Sequence, residues 1–225
     1  MNVKLVSYSK ASDEFKKEGL ENVQDLIAFC AKVSNPSAQI NMETSERLIK
    51  YLIKHQHWSP LEMVNAVLEI ETTRDIAHQI VRHRSFAFQE FSQRYADPKE
   101  QGDIFEYAEC RLQDTKNRQN SIETDNVELH HGWIDQQELV MQAANRAYTW
   151  AIEHGIAKEQ ARKILPEGLT KTTLYMNGTI RSWIHYIELR GANGTQKEHM
   201  QIAHACAEAI AKIFPNIEKY SNGQI

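Results

Sequence analysis

The stretch that decides the fold is SPLEMVNAVLEIETTRDIAHQIVR, residues 59–82. It opens on Ser-Pro-Leu-Glu, the pattern of a helix start with a capping serine and a glutamate three residues later. Apolar and polar residues then alternate from Val64 to Ile70, which predicts that the opening turn is short and gives way to a strand. Helical spacing begins at Arg74, so a strand is expected to pass directly into a helix.

Strands and helices follow one another irregularly along the rest of the chain. Further strands are predicted over 2–9, 104–107 and 170–179, and helices over 21–33, 43–54, 74–82, 133–154, 157–165, 180–190 and 196–214. A second capping box, Thr195 with Glu198, is expected to open the last helix. The order lacks the regular rhythm of a doubly wound sheet. It predicts an α+β fold, one domain over residues 1–225, with a mixed or antiparallel sheet packed against several helices and no Rossmann fold.

Length, charge and cysteine usage exclude several classes of protein. No apolar run approaches the ~18 residues of a membrane span, so no membrane partner is expected. The formal net charge of −4 gives no general attraction to nucleic acid. Cys30, Cys110 and Cys206 are too few and too far apart for a disulfide framework or a four-cysteine zinc site, which favours a reducing, cytoplasmic location. Since no His-Glu-x-x-His motif occurs, no metal is expected.

The densest polar segment is RHRSFAFQEFSQRY, residues 82–95. Several guanidinium groups beside apolar residues suit a phosphate, which arginine binds through two parallel hydrogen bonds. For Arg74 and His78, which share a predicted helix face with Arg82, a solvated basic helix end is the favoured alternative. The acceptors Glu90 and Ser92 favour a binding site for the longer segment.

Arg190 gives a second signal. It shares one face of its predicted helix with Trp183 and Ile187, and an arginine on an apolar stripe needs an anionic or acceptor partner. A buried structural glutamate and a ligand both remain open as that partner. Together with Arg162 and Arg181, Arg190 belongs to a set of separated arginines that could converge on a planar, anionic ligand.

These segments together resemble the flavin-dependent thymidylate synthase family. The family signature is Arg-His-Arg, seven residues and Ser, which matches Arg82 to Ser92. Other matching segments follow in the family's order: HWSP at 57–60, Gln79, ARKILP at 161–166, IRSWIHYIELR at 180–190, and Gln196-x-Glu198. The resemblance covers roughly residues 57–198. Gln89 and Thr179 stand where the family commonly has Asn, and Gly194 where it often has His.

The resemblance implies an activity and its partners. The reaction would methylate dUMP to dTMP, with methylenetetrahydrofolate as carbon donor, NADPH as reductant and FAD held outside any Rossmann fold. The enzyme would be a homotetramer of α+β subunits with active sites between subunits. Because the reductant is flavin and fixed donors polarise the pyrimidine, no enzyme thiol is needed.

The resemblance also implies roles for individual residues. The catalytic candidates are Arg190, which would favour the ionised uracil ring, and Ser92, which would position the nucleotide. Residues expected to surround dUMP are Gln79, Arg82, Glu90, Phe91, Ser92, Gln93, Arg94, Arg162 and Arg190. Those expected to contact FAD are Ser59, Arg82, His83, Arg84, Glu90, Thr179, Ile180, Arg181 and His185.

Two other classes of protein remain open. A non-catalytic nucleotide- or flavin-binding relative would keep these arginines and form no dTMP. A nucleic-acid-binding protein would use the same arginines on phosphates, which the net negative charge opposes.

Overall fold

A four-stranded antiparallel sheet lies at the centre of the computed structural model, which describes residues 2–217. Its strands are β1 (Asn2–Tyr8), β2 (Asn65–Thr73), β3 (Ala87–Glu90) and β6 (Lys171–Thr179), in the order β1-β2-β6-β3. Two short strands, β4 (Arg111–Gln113) and β5 (Ser121–Glu123), form a separate hairpin. The antiparallel sheet of an α+β fold is therefore confirmed.

Eight α-helices accompany these strands within residues 2–217. They are α1 (Asp13–Lys17), α2 (Val23–Ala31), α3 (Ser45–Lys54), α4 (Arg74–Ile80), α5 (Val127–Glu153), α6 (Lys158–Ala161), α7 (Ile180–Gly191) and α8 (Lys197–Ala211). Although α5 has 27 residues, neither it nor another helix of this part of the chain is apolar enough to cross a membrane.

The alternation of β2 decides which face of the sheet is covered. Ala66, Leu68 and Ile70 are fully buried, because side chains of alternate residues in a strand point to the same face. They belong to one hydrophobic cluster with residues of α2, α3, α7 and α8. The indole N–H of Trp183 donates to the carbonyl of Ala66 at 3.1 Å and so joins α7 to β2. This bond and the surrounding apolar contacts fix the orientation of α7.

Several predicted boundaries were wrong. Helix α4 ends at Ile80, so Arg82 does not share its face with Arg74 and His78. The strand expected at 104–107 is reduced to a single bridge between Phe105 and Thr170, and the β4–β5 hairpin forms further along the chain. Helix α5 begins six residues earlier than expected, with Asn126 capping the amide of Leu129.

Neither predicted capping box forms. Residues Ser59–Glu62 make a short 3-10 helix without a side-chain cap, and Gln196, not Thr195, precedes α8. The two glutamates of these boxes pair with distant arginines instead, Glu62 with Arg181 and Glu198 with Arg111. In both cases an ion pair with a residue distant in sequence forms in place of the weaker hydrogen bond between the glutamate and the amide of the capping residue.

At two positions the structure explains why the residue is glycine. Gly155, at φ 75°, follows the end of α5 in the left-handed region, as the sequence predicted. Gly178 lies in β6 beneath the ring of Phe86, and a Cβ at this position would overlap that ring. Because Phe86 follows the Arg82–Arg84 segment, Gly178 helps set where that segment lies.

Candidate active site

Arg190 and His83 form a close pair at the end of α7. The Nε–H of Arg190 donates to Nε2 of His83 at 2.9 Å, across 107 residues of sequence. Burial, followed by the charge of Arg190, lowers the pKa of His83 to about 4, so the imidazole is neutral and Nε2 can accept. The sequence by itself leaves the partner of Arg190 open between a glutamate and a ligand. The structure supplies a neutral ring instead.

The pair leaves the charge of Arg190 available. Among residues 2–217, neither terminal guanidinium nitrogen of Arg190 makes a hydrogen bond or an ion pair, and the side chain is only half-buried. Since arginine prefers planar acceptors bound through two parallel bonds, this free edge can take a planar ligand.

Two further arginines, both in the segment 82–95, point away from the core. Arg82 and Arg84 are exposed, and neither has an ion-pair or hydrogen-bond partner in the described part of the chain. Phe86 anchors the segment against Trp183, with ring centroids 4.8 Å apart. Apolar packing thus holds a short loop that presents unpaired positive charge.

Gln79 lies at the end of α4, near this pair. Its Nε2 donates to Oε1 of Gln196 at 2.8 Å, and its Oε1 lies 3.3 Å from Nδ1 of His199. Gln79 is thus connected to the core through a histidine for which the sequence reading proposed no role.

The start of α7 holds a second group of predicted residues. Thr179 caps the helix by accepting from the amide of Ser182 at 3.1 Å. Ile180 is fully buried, and its amide donates to the carbonyl of Val64 at 2.9 Å. Its side chain therefore belongs to the core.

Arg181 and His185 lie on the outer side of this helix start. Arg181 pairs with Glu62, next to the predicted flavin residue Ser59, which is exposed. The ring of His185 meets that of Trp58 edge-on at 4.6 Å. Burial, followed by the charge of Arg181, lowers the pKa of His185. The group therefore presents polar side chains beside an aromatic surface.

The end of β3 holds a third group. Oε1 of Glu90 accepts from the hydroxyl of Thr172 at 2.9 Å and lies 3.2 Å from Nη1 of Arg74. Arg74 is therefore not the solvated helix end that the alternative interpretation favoured, because its side chain is only 15% exposed and pairs with Glu90. Phe91 and Ser92 follow, both half-buried. Gln93 is only 3% exposed, and its Nε2 has no hydrogen-bond partner within residues 2–217.

Arg94 and Arg162 belong to the same side of the molecule. Arg94 lies 3.3 Å from Glu159 of α6, and Arg162 follows α6 directly. Arg162 is half-buried and makes no side-chain bond within the described residues. The structure therefore brings these two arginines to one helix.

The predicted residues thus form three groups in one chain. The first contains Gln79, His83 and Arg190, the second surrounds the start of α7, and the third lies beyond β3. The first two share α7, whose end residues 181 and 190 are roughly 14 Å apart along the axis. Within residues 2–217, no hydrogen bond or ion pair joins the third group to the others. One chain does not assemble all the predicted residues around a single point.

A cavity of about 250 Å³ lies beside Gln196. It is lined by Asp75, Glu109 and Glu198, with Arg111 as a cation already paired to Glu198. Because negative charge prevails, this cavity does not suit a nucleotide phosphate.

The three cysteines are free thiols. Burial raises the pKa of Cys30 and of the fully buried Cys206, so both thiols stay protonated at neutral pH. The described residues hold no group of three or more His, Cys, Asp or Glu side chains placed to bind a metal ion.

Sequence reasoning missed His199 and Tyr186. Both are buried and bonded to each other at 3.1 Å between Nε2 and the hydroxyl. The available signal was spacing, since His199 stands on the apolar stripe of α8 with Ile202 and Cys206. A histidine at such a position needs polar partners from a neighbouring helix.

Fold and site together define a class of protein. An antiparallel α+β layer without a Rossmann unit presents unpaired guanidinium groups beside a neutral imidazole, which suits a phosphorylated, planar ligand.

Comparisons with known proteins then give the family. The family model described as "Thymidylate synthase complementing protein" matches residues 17–216. A probable flavin-dependent thymidylate synthase of Paramecium bursaria Chlorella virus 1 is 49% identical over 219 residues, covering 97% of this chain and 98% of the relative. The flavin-dependent thymidylate synthase of Synechocystis sp. is 45% identical over 218 residues, covering 96% and 97%. The chain belongs to the flavin-dependent thymidylate synthase family, and the resemblance is confirmed.

A solved structure supports the fold. The UMP/dUMP methylase PolB of Streptomyces cacaoi, bound with 5-Br dUMP, has a TM-score of 0.78 at 22% identity, covering 100% of this chain and 96% of its own. At this identity the similarity concerns the fold alone.

Proposed function

We propose that this chain methylates dUMP to dTMP, taking the carbon from methylenetetrahydrofolate and the reducing equivalents from NADPH through FAD. The observation that carries the proposal is the Arg190–His83 pair, in which two separate family segments meet and leave the guanidinium edge free. Membership of the family supports the same reaction.

Arg190 is the residue proposed to act on the pyrimidine. Its Nε is held by His83, so the guanidinium is oriented before the nucleotide arrives. A preorganised donor stabilises negative charge on the uracil ring without rearranging during the reaction. The positive charge of Arg190 would therefore favour the ionised ring.

The nucleotide phosphate is proposed to lie with the third group. Arg162 has no bonded partner in the described part of the chain, and Arg94 has only an exposed carboxylate. Ser92 and the unpartnered amide of Gln93 supply neutral donors there. Two cations with neutral donors suit a dianionic phosphate. Ser92 would position the nucleotide and form no covalent bond.

FAD fits the charges of the first two groups. The exposed, unpaired guanidinium groups of Arg82 and Arg84 suit its pyrophosphate, and Ser59, Arg181 and His185 lie at the start of α7. When bound, FAD supplies the redox chemistry that links NADPH to the transferred carbon. The chain's part is to bind and orient. Thiol nucleophiles are not required, in agreement with protonated Cys30 and Cys206.

A homotetramer with active sites between subunits is proposed from the separation of the three groups. A second copy could bring its Arg94 side toward the Arg190 side of the first. Helix α5 also exposes several large apolar side chains, among them Leu139, Val140 and Trp150. Light scattering should give the mass of four chains, and a fully active monomer would contradict the arrangement.

We further propose that residues 1–225 form one domain, since one hydrophobic cluster contains residues from α2 to Ile217. A cytoplasmic location is proposed because the three cysteines are free thiols.

The function is tested by tritium release from dUMP labelled at C5. The purified protein with FAD, NADPH and methylenetetrahydrofolate should release tritium and form dTMP. Protein that carries flavin and binds dUMP but releases no tritium would be the non-catalytic relative, and the proposal would fail.

A further inference from the structure

A chain of polar side chains lies behind the candidate active site. Tyr186 of α7 and His199 of α8 are 1% and 0% exposed, and the tyrosine hydroxyl lies 3.1 Å from Nε2 of the histidine. Nδ1 of His199 lies 3.3 Å from Oε1 of Gln79, whose Nε2 donates to Oε1 of Gln196 at 2.8 Å. This series of hydrogen-bonded side chains therefore runs from the core to the half-buried end of α4.

The direction of these hydrogen bonds follows from the two buried groups. Burial, followed by the charges of Arg190 and His83, lowers the pKa of His199 to about 3, so one ring nitrogen donates and the other accepts. Burial raises the pKa of Tyr186 well above its usual value, so its hydroxyl keeps the proton. Since this hydroxyl has no other hydrogen-bond partner within residues 2–217, accepting from His199 would leave its O–H unpaired. Tyr186 therefore donates to Nε2, and Nδ1–H donates to Gln79.

This direction fixes the amide of Gln79. Its oxygen faces His199, and its nitrogen faces outward, with one hydrogen on Gln196. The second hydrogen has no partner in the described part of the chain. Gln79 thus offers a hydrogen-bond donor, and the reversed amide would break the bond with His199.

We propose that Tyr186 and His199 are positioning residues that hold Gln79 as a fixed donor for the 4-carbonyl of uracil and thereby reject cytosine nucleotides. Position 4 of uracil is an acceptor, whereas cytosine carries an amino group there, which donates. A fixed N–H would face that amino group, but a freely turning amide could accept from it. The inference rests on the proposed function, because it takes Gln79 to face the base of dUMP.

The experiment compares dUMP and dCMP binding to the FAD-loaded protein by calorimetry or by displacement. The test variant combines Tyr186→Phe with His199→Leu, so that neither buried group loses only its partner. The ratio of the dCMP to the dUMP dissociation constant should narrow about tenfold, the equivalent of one hydrogen bond.

The matched control is His204→Leu. It makes the same substitution on the same helix, but His204 contacts the carbonyl of Gly191 at 3.3 Å and has no bond to Gln79. Its ratio should equal that of the unmodified protein. If the role of His199 were merely structural, its replacement would weaken the binding of both nucleotides equally and leave the ratio of their dissociation constants unchanged.

An unchanged ratio in the double variant, or an equal loss for both nucleotides, overturns the inference. Should the double variant fail to fold, Tyr186→Phe alone keeps the packing on Phe86 and Trp183 and should narrow the ratio by a smaller factor. An unchanged ratio there overturns it too. If the unmodified protein neither binds dUMP nor releases tritium, the proposed function fails. If it does both without discriminating against dCMP, only this inference fails.

Discussion

Arginines occur both at the Arg190 end of α7 and on the Arg94 side beyond β3. The two regions differ in the partners that the same subunit provides for these arginines. Arg190 is anchored to a neutral His83, behind which lies a buried chain of hydrogen bonds. Arg162 has no bonded partner among residues 2–217, and Arg94 meets only an exposed carboxylate. Arg190 is thus oriented by a half-buried neighbour, whereas Arg162 has no counterion among residues 2–217 and Arg94 has only the exposed Glu159. The difference agrees with the proposal that Arg190 orients the base within one subunit, while the arginines beyond β3 would bind the phosphate together with a second subunit.

Replacing Arg190 tests the preorganised region and should have the largest effect. Arg190→Ala should lower the turnover number for dTMP formation about a hundredfold or more, the scale of losing one preorganised donor. Tritium release under saturating dUMP measures it. Near-normal turnover would remove Arg190 from the chemistry and make the two regions equivalent.

Replacing Arg162 tests the open region. Arg162→Ala should raise the KM for dUMP about tenfold and change the turnover number little, because phosphate binding persists in the transition state. Initial rates over a range of dUMP concentrations separate the two parameters. Lys163→Ala, its exposed neighbour, serves as the control, and a fall in turnover alone would contradict the assignment.

The preorganised region should also make stability depend on pH. The folded pKa values of His83, about 4, and His199, about 3, lie below the ordinary histidine value of 6.5. The unfolded chain therefore binds more protons between these values, so stability is complete above pH 6.5 and is lost as the pH falls toward 4 and then 3. Denaturant midpoints measured from pH 7 to pH 4 should fall steadily.

The Tyr186→Phe/His199→Leu variant sharpens this test. It removes one of the two titrating groups, so its midpoint should fall less steeply with pH. Glu167→Gln, which breaks only the exposed contact with His78, is the comparison and should leave the slope as it was. Equal slopes for all three proteins would show that the buried histidine does not carry the effect.

The smallest effect is expected for the ion pair of the open region. Glu159 and Arg94 are 49% and 56% exposed, so Glu159→Gln should change the free energy of unfolding by less than ~1 kcal/mol. The same substitution frees Arg94 and should leave dUMP affinity equal or slightly tighter. Weaker dUMP binding would show that Glu159 holds Arg94 in place, and the region would then count as partly preorganised.

Elements whose signal was local were predicted well. The alternation from Val64 to Ile70 gave β2, and the glycine at 155 marked the end of α5. Residues in those patterns are fixed by the pleat of a strand or by a backbone angle, which depend on near neighbours. The family segments around Arg82 and Arg190 were likewise recognised, because such motifs are defined by the spacing of residues along the sequence.

Elements whose signal was overridden were predicted wrongly. Glu62 and Glu198 occupy positions typical of capping boxes. They form ion pairs instead with Arg181, 119 residues away, and Arg111, 87 residues away. Arg82 left the helix face because α4 ends at Ile80. Tyr186 and His199 were missed although each is a polar residue on an otherwise apolar helix face, because the spacing shows the need for a polar partner and does not identify that partner.

The amino-acid order by itself determined which residue types recur at family spacing and where β2 alternates. Only the tertiary structure decided which partner each charged group found: His83 for Arg190, Arg181 for Glu62, and Gln79 for His199. The physical reason is that strand and cap signals arise between neighbours in sequence. Pairing of buried polar groups depends instead on distances that exist only once α4, α7 and α8 have packed.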